Sequence, residues 1–188
     1  SPPSSKWQRR INLIGPATVA DIWHRHILDC GQLANRIPSR PLRVCDLGSG
    51  AGLPGLVLAA MGIGAGEGGC LDLVESDSRK AAFLREANRL MGTHGRVENR
   101  RIEEMAETGA SGYDIITARA LAPLPKLLEM SNNLLKTGGK LLFLKGKGAD
   151  AELTESEKAW KMRVTKMPSA SDSEGVILLI EDLKKRHG

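Results

Sequence analysis

The sequence predicts an α/β fold with a mostly parallel, seven-stranded sheet, an antiparallel C-terminal edge strand and an N-terminal helical extension. Short apolar runs of strand length alternate with segments of helical spacing, which is typical of α/β proteins. The run at residues 140–145 is nearly continuous in apolar residues, as expected of a parallel strand covered on both faces. A Ser/Asp/Gly-rich loop joins the last two apolar runs, which indicates an antiparallel pair.

Length and composition favour one soluble domain. The 188 residues suffice for one sizeable core. We therefore expect a single domain over residues 1–188, with a helical extension at 1–40 and a Rossmann-like core at 41–188. No apolar stretch reaches the roughly 20 residues that a bilayer span needs. The Ser/Pro-rich start leads into basic residues rather than a signal segment, so we expect a cytoplasmic protein, and we favour a monomer.

The individual elements follow from the spacing of apolar residues. Residues 18–37 carry apolar positions three and four apart, which predicts a helix that ends before Pro38. Further helices are predicted at 54–61, at 78–91, after Ile102 and at 123–135. Strands are predicted at 42–47, 71–75, near Val97, 113–118, 140–145, 162–167 and 176–183. Residues 137–139 are expected to turn the chain between the last predicted helix and the strand at 140–145.

A glycine-rich segment follows the first predicted strand. Gly48, Gly50 and Gly52 would let the main chain turn sharply and approach a ligand closely, since any Cβ would intrude. In open parallel sheets, ligands lie beyond the carboxyl ends of the strands, where strand order reverses. Gly50, Gly52 and Gly55 also satisfy the GxGxxG spacing of dinucleotide-binding proteins, so two cofactors compete for this loop.

Two carboxylates bear on the choice of cofactor. Asp46 precedes the first glycine by two residues, where dinucleotide folds usually carry an apolar residue. A carboxylate there could accept hydrogen bonds from loop amides and, through them or water, hold the amino-acid end of S-adenosylmethionine. Glu75 closes the second strand and suits either cofactor, because both present ribose hydroxyls. Asp46 therefore favours S-adenosylmethionine over a nicotinamide dinucleotide.

Net charge and the spacing of possible metal ligands indicate which partners to expect. The net charge of +5 and a pI near 9.3 favour an anionic partner, and clustering of the basic residues raises nucleic acid above other anions. These clusters are Lys6, Arg9 and Arg10, then His24, Arg25 and His26, and then Arg96, Arg100 and Arg101. The three cysteines form no CxxC pair and the histidines have no ligand spacing, so we expect no metal.

Several spaced motifs resemble one family. They are KWQRRINL at 6–13, RHILD at 25–29, DLGSGAGLPG at 46–55, RIEE at 101–104, TARA at 117–120 and LKG at 144–146. Together they resemble the RsmG family, also called GidB, which methylates guanine N7 in bacterial 16S ribosomal RNA. The resemblance implies a class I S-adenosylmethionine-dependent methyltransferase fold, with 16S ribosomal RNA or the small subunit as partner. It also implies that an N-terminal segment of the family precedes this numbering.

The resemblance assigns roles to individual residues. It implies that Gly48 and Leu53 contact the cofactor and that Glu75 receives its ribose. Ile102 and Glu103 would hold the adenine, and Arg119 would lie beside the cofactor. Cys30 stands where the family usually has a serine.

The remaining candidates concern the RNA. Guanine N7 has an unprotonated lone pair at neutral pH and needs no general base, so we look for side chains that could position the guanine. Arg119 is the first candidate catalytic residue, because its guanidinium could donate to guanine O6 or to a phosphate; a structural pairing with Asp46 or Glu75 is the alternative. Arg25, His26 and Lys145 are weaker candidates for RNA contact. A nicotinamide-dependent oxidoreductase, an RNA-binding module with a vestigial cofactor site and a small-molecule methyltransferase remain rival hypotheses.

Overall fold

The computed structural model describes residues 27–186, and these form the predicted seven-stranded sheet. The strands are β1 (Arg43–Leu47), β2 (Cys70–Val74), β3 (Arg96–Glu98), β4 (Tyr113–Arg119), β5 (Leu135–Lys145), β6 (Trp160–Pro168) and β7 (Val176–Lys185). Their order in the sheet is β3-β2-β1-β4-β5-β7-β6. β1 to β5 pair in parallel, whereas β7 is antiparallel to both β5 and β6. The antiparallel C-terminal edge is therefore confirmed, with β6 outermost and β7 next to it.

Helices cover both faces of this sheet. Within residues 27–186 they are α1 (Leu28–Ala34), α2 (Gly55–Ala60), α3 (Ser78–Met91), α4 (Ile102–Glu107), α5 (Leu124–Asn132) and α6 (Ala149–Ala159). Buried residues of α1 to α3 share one apolar cluster with Val44 and Ile115, and those of α4 to α6 share a second with Cys45 and Ile116. Consecutive strand residues thus face opposite layers, which explains the nearly continuous apolar runs.

Several boundaries differ from the predictions, and one helix was not predicted. The helix expected at 123–135 ends at Asn132. The helix expected over residues 18–37 ends at Ala34, and its residues 18–26 lie outside the described part of the chain. The turn expected at 137–139 lies inside β5 as a bulge. Tyr113 pairs with Leu135 and Ile115 with Lys140, so β5 has three more residues between these two pairs than β4 has, and they loop out of the sheet. Helix α6 was not predicted, because it buries only Ala149, Leu153 and Ser156 and so carries a sparse apolar stripe.

A polar network centred on the buried Asp72 ties together four parallel strands. The Arg96 guanidinium donates two hydrogen bonds to the Asp72 carboxylate, at 2.7 and 2.9 Å, and the Tyr113 hydroxyl donates a third at 2.6 Å. The guanidinium of Arg43 lies over the Tyr113 ring, 5.1 Å from its centroid. Asp72 and Tyr113 are both buried, so the charge on Asp72 is matched by donors rather than by water. The network joins β3, β2, β4 and β1.

Helix α1 is fixed to the loop between β6 and β7. The Asp29 carboxylate accepts hydrogen bonds from the Ser169 hydroxyl at 2.6 Å and the Ser171 amide at 3.3 Å. One turn later, Gln32 donates to the Pro168 carbonyl. Since β6 runs parallel to β1, its carboxyl end and this loop lie at the same edge of the sheet as the glycine-rich segment. The contact therefore holds α1 beside that edge.

Candidate active site

The glycine-rich loop lies where the order of the sheet reverses. β1 has β2 on one side and β4 on the other, so the chain leaving Leu47 enters the crevice between two oppositely directed crossovers. The residues that follow β2, β3, β4 and β5 meet at the same edge. The site expected from the sequence therefore has a single location, the carboxyl edge around the loop from Gly48 to Pro54.

Three glycines shape this loop for different reasons. Gly48, Gly50 and Gly52 have φ values of +63°, +52° and +85°, in the left-handed region that favours glycine. A Cβ on Gly48 would come within 2.6 Å of a Leu121 methyl carbon, and one on Gly52 within 2.3 Å of a Leu56 methyl carbon. At Gly50 the only near atom is the Gly48 carbonyl oxygen, at 3.6 Å. The left-handed φ thus favours glycine at all three positions; leucine side chains fill the space beside Gly48 and Gly52, whereas the space beside Gly50 is open to a ligand.

Asp46 anchors the loop from below. Its carboxylate is fully buried and accepts hydrogen bonds from the Ser49 hydroxyl at 2.7 Å, the Gly55 amide at 3.1 Å and the Thr117 hydroxyl at 2.7 Å. Burial raises the pKa of Asp46 to about 6, and these three hydrogen bonds act in the opposite direction. Because the side chain has no exposed surface, it could support a cofactor only through the loop.

Glu75 supports the same loop from the neighbouring strand. One carboxylate oxygen accepts from the Gly50 amide at 2.9 Å and the other from the Asp77 amide at 2.8 Å. A carboxylate has about four acceptor positions, so two remain for ribose hydroxyls. Glu75 is buried, with 7% of its surface exposed, and it directly follows β2 at the carboxyl edge. Glu75 is thus held in place by the protein while keeping acceptor capacity.

The carboxyl edge of the sheet around the glycine-rich loop is called the rim below, and the residues after β3 form its next part. Ile102, the first residue of α4, is buried with 8% of its surface exposed, and Glu103 beside it is exposed. Asn99, which the sequence analysis did not single out, donates to the Glu75 carbonyl at 2.9 Å and the Ser76 carbonyl at 3.2 Å. It locks the turn after β2 against the turn after β3. Its position directly after a parallel strand was the signal that could have identified it.

Arg119 ends β4 beside helix α1. Its side chain is partly exposed, and its guanidinium lowers the pKa of the nearby Cys30 thiol, although burial dominates and raises that pKa to about 12. Ala120 follows with φ +49°, unusual for a residue other than glycine, and turns the chain over the rim.

The structure describes only some of the residues predicted to contact RNA, and ion pairs hold several of these. Arg25 and His26 lie outside the described residues. The Lys145 side chain is only 10% exposed, and its ammonium pairs with Glu152 at 2.7 Å, a geometry that favours a structural role. Within the cluster expected at 96–101, Arg96 pairs with Asp72 and Arg100 with Glu98. Ion pairs therefore compensate two of these three cations.

Two properties of residues 27–186 bear on alternative classes of protein. None of their helices has the length and apolar character needed to span a membrane. Among the same residues, no three or more His, Cys, Asp or Glu side chains come together in a way that could hold a metal ion.

Solved structures share this architecture. The ribosomal protein L11 methylase from Lactobacillus delbrueckii subsp. bulgaricus superposes with a TM-score of 0.64 at 20% identity, covering 85% of this chain and 77% of that one. P. horikoshii TYW2, solved in complex with MeSAdo, superposes with a TM-score of 0.59 at 13% identity, covering 92% of this chain and 64% of that one. At these identities the likeness shows the fold alone, and it confirms the predicted class I methyltransferase architecture.

Sequence relatives identify the family. A model of the GidB family, described as rRNA small subunit methyltransferase G, matches residues 5–178. Ribosomal RNA small subunit methyltransferase G of Paramagnetospirillum magneticum is 51% identical over 180 residues, which are 96% of this chain and 84% of that protein. The protein of the same name from Gluconobacter oxydans is 46% identical, over 96% of this chain and 89% of its own length. The chain therefore belongs to the GidB family of rRNA small subunit methyltransferases.

Proposed function

We propose that this chain transfers a methyl group from S-adenosylmethionine to N7 of a guanine in the 16S ribosomal RNA of the small subunit. The observation that carries the proposal is the loop after β1, in a chain of this family. Its main chain is open at Gly50, Asp46 pins it from beneath and Glu75 fixes it from the side. This cradle suits a ligand that has ribose hydroxyls and a charged amino-acid end.

The residues of the rim divide the work of holding the cofactor. The main chain from Gly48 to Leu53 would face the amino-acid end, with Asp46 keeping the loop in shape through the Gly55 amide. Glu75 would accept from the ribose hydroxyls. Ile102 would offer an apolar surface to the adenine, and the exposed Glu103 a polar group at its edge. S-adenosylmethionine carries its methyl group on a positively charged sulfur, which the lone pair of guanine N7 can displace without a general base.

Among the described residues, no histidine lies at the carboxyl edge, which is consistent with methyl transfer that needs no general base. The histidine among them, His94, lies before the amino end of β3 and bonds to the Ile63 carbonyl, away from the carboxyl edge. Rate enhancement would therefore come from aligning the acceptor nitrogen with the methyl group rather than from proton transfer. Arg119, at the end of β4, is the candidate to orient the guanine through O6 or a neighbouring phosphate. The net charge of +5 supports an anionic partner.

A methyl-transfer assay with matched acceptors tests this proposal. Purified protein and labelled S-adenosylmethionine are incubated with small subunits that lack the modification, with naked 16S RNA and with large subunits. We expect label in small-subunit RNA, as N7-methylguanine at one position. The comparison of subunits with naked RNA decides which is the better substrate. Label in the large subunit alone, or at another base atom, would contradict the assignment.

A binding experiment addresses the oxidoreductase alternative, which rests on the spacing of Gly50, Gly52 and Gly55. Thermal unfolding is followed with S-adenosylhomocysteine and, separately, with NADH. A ligand at about 100 times its dissociation constant adds about 2.7 kcal/mol to the unfolding free energy, which is easily measured. We expect stabilisation by S-adenosylhomocysteine only. Stabilisation by NADH alone would favour a dinucleotide enzyme.

A further inference from the structure

The loop that follows Arg119 is held by an ion pair from elsewhere in the chain. The Lys145 ammonium donates to the Ala122 carbonyl at 3.0 Å and pairs with the Glu152 carboxylate at 2.7 Å. The same Glu152 oxygen accepts from the Leu124 amide at 2.6 Å. The C-terminal end of the loop at residues 120–123, where it enters α5, is therefore tied to β5 and α6. We name this arrangement, Lys145 with Glu152, the rim clamp.

The sheet register places the rim clamp next to the candidate catalytic arginine. Arg119 is opposite Leu144 in the parallel pair of β4 and β5; the next residue along the chain is Ala120 after the end of β4 and Lys145 at the end of β5. Ala120 has the left-handed φ of +49°, and Leu121 packs over Gly48 of the cofactor loop. A shift of this loop would therefore move the main chain after Arg119 and the cover of the cofactor loop together.

Burial and charge suit Lys145 to a positioning role. Its side chain is 10% exposed and that of Glu152 is 28% exposed, so water competes little with the pair. Leu124 is the first residue of α5, and its amide has no partner within the helix. Glu152 supplies the missing acceptor and places a negative charge at that helix end, which the helix dipole favours. Lys145 and Glu152 thus neutralise each other's charge and provide hydrogen-bond partners for the Ala122 carbonyl and the Leu124 amide.

We propose that Lys145 and Glu152 are positioning residues: through the loop at 120–123 they fix Arg119, and the Leu121 side chain over Gly48, in the geometry needed for methyl transfer. The inference rests on the proposed function. It replaces direct contact of Lys145 with RNA phosphate by an action through Ala122 and Leu124. The two roles predict different kinetics, so they can be separated.

The main test uses Lys145→Met, which keeps the stem of the side chain and removes its charge. We expect kcat on small subunits to fall at least about tenfold, with KM for subunits and affinity for S-adenosylhomocysteine within about twofold of the wild type. Lys145→Arg should recover most of kcat. A phosphate contact would instead raise KM, leave kcat unchanged and lower the salt slope of binding by about one. That result, or an unchanged kcat, would overturn the proposal.

Glu152→Gln gives an independent arm with an opposite expectation. If Lys145 contacted phosphate, neutralising Glu152 would free its ammonium and tighten binding of subunits. The clamp predicts a lower kcat and no tighter binding. The control is Lys158→Met at the other end of α6, where an exposed lysine pairs with Glu155. This variant should have the kinetics of the wild type.

Hydrogen exchange keeps the clamp testable apart from activity. In Lys145→Met and Glu152→Gln, amides at residues 120–124, including Leu124, should exchange faster than in the wild type and in Lys158→Met. Unchanged exchange there would refute the clamp. A wild-type protein that methylates no subunit preparation would refute the proposed function, whereas faster exchange in the variants would still support the clamp.

Discussion

Glu75→Gln tests the cofactor site at its most specific contact. The substitution keeps the size of the side chain but removes its charge and one acceptor oxygen. The carboxylate now holds the Gly50 and Asp77 amides at 2.9 and 2.8 Å and keeps acceptor positions for a ribose diol. Glutamine can serve one amide with its oxygen, so its NH₂ group would face the other amide or the ribose.

The expected magnitude follows from the hydrogen bonds that are lost. A hydrogen bond to a charged group contributes about 1.5–3 kcal/mol. Loss of one such bond to the ribose should weaken S-adenosylhomocysteine binding by about 10- to 150-fold. The amide left without an acceptor should also lower the unfolding free energy, by about 1–3 kcal/mol. Binding should therefore be measured where the variant is folded.

Calorimetric titration with S-adenosylhomocysteine measures the effect, with thermal unfolding to verify the fold. Glu86→Gln is the matched control, since Glu86 is an exposed carboxylate on α3 that pairs with Arg89. It should bind as the wild type does. If folded Glu75→Gln binds S-adenosylhomocysteine within about twofold of the wild type, Glu75 does not receive the ribose and the rim has been misread.

Three further predictions follow from the described contacts. Because burial raises the pKa of Asp46 from 3.8 to about 6, ionising it costs about 3 kcal/mol more in the folded protein than in the unfolded chain. As the pH rises from about 4 to 6, the unfolding free energy of the wild type should therefore fall by up to about 3 kcal/mol relative to that of Asp46→Asn. If denaturant unfolding showed the same pH dependence for both proteins, this prediction would be contradicted. Arg119→Ala should lower the methylation rate at least about tenfold with the fold intact, and an unchanged rate on ribosomal RNA would remove Arg119 from the site. Tyr113→Phe should lower the unfolding free energy by about 1.5–3 kcal/mol through loss of its bond to Asp72, while S-adenosylhomocysteine affinity, measured on folded protein, stays that of the wild type.

Much of the fold could be predicted from periodicity, because both faces of the sheet are apolar and the helices between strands are amphipathic. Helix α3 begins and ends where its apolar spacing indicates, at Ser78 and Met91. Helix α6 could not be predicted in this way, since its exposed face has few features to distinguish it from a polar loop. The bulge in β5 was also missed, because a Thr-Gly-Gly run predicts a turn whether it joins two elements or interrupts one.

The site could be located from the sequence but its contacts could not. Asp46 and Glu75 were singled out because they stand at the carboxyl ends of parallel strands. That Thr117 donates to Asp46 depends on pairing between strands 71 residues apart, which no local pattern records. The same holds for Lys145, whose position suggested a phosphate contact until Glu152 and the Ala122 carbonyl were found against it. Long-range partners decide whether a charged residue faces a ligand or supports a loop.

A structure determined with bound S-adenosylhomocysteine tests the central claim most directly. We expect the ligand to lie on the carboxyl edge, with its ribose hydroxyls donating to Glu75 and its amino-acid end against the main chain near Gly50. The Asp46 carboxylate should remain beneath the loop, out of contact with the ligand. Density for the ligand at any other surface, with the Gly48 to Leu53 loop untouched, would contradict the account.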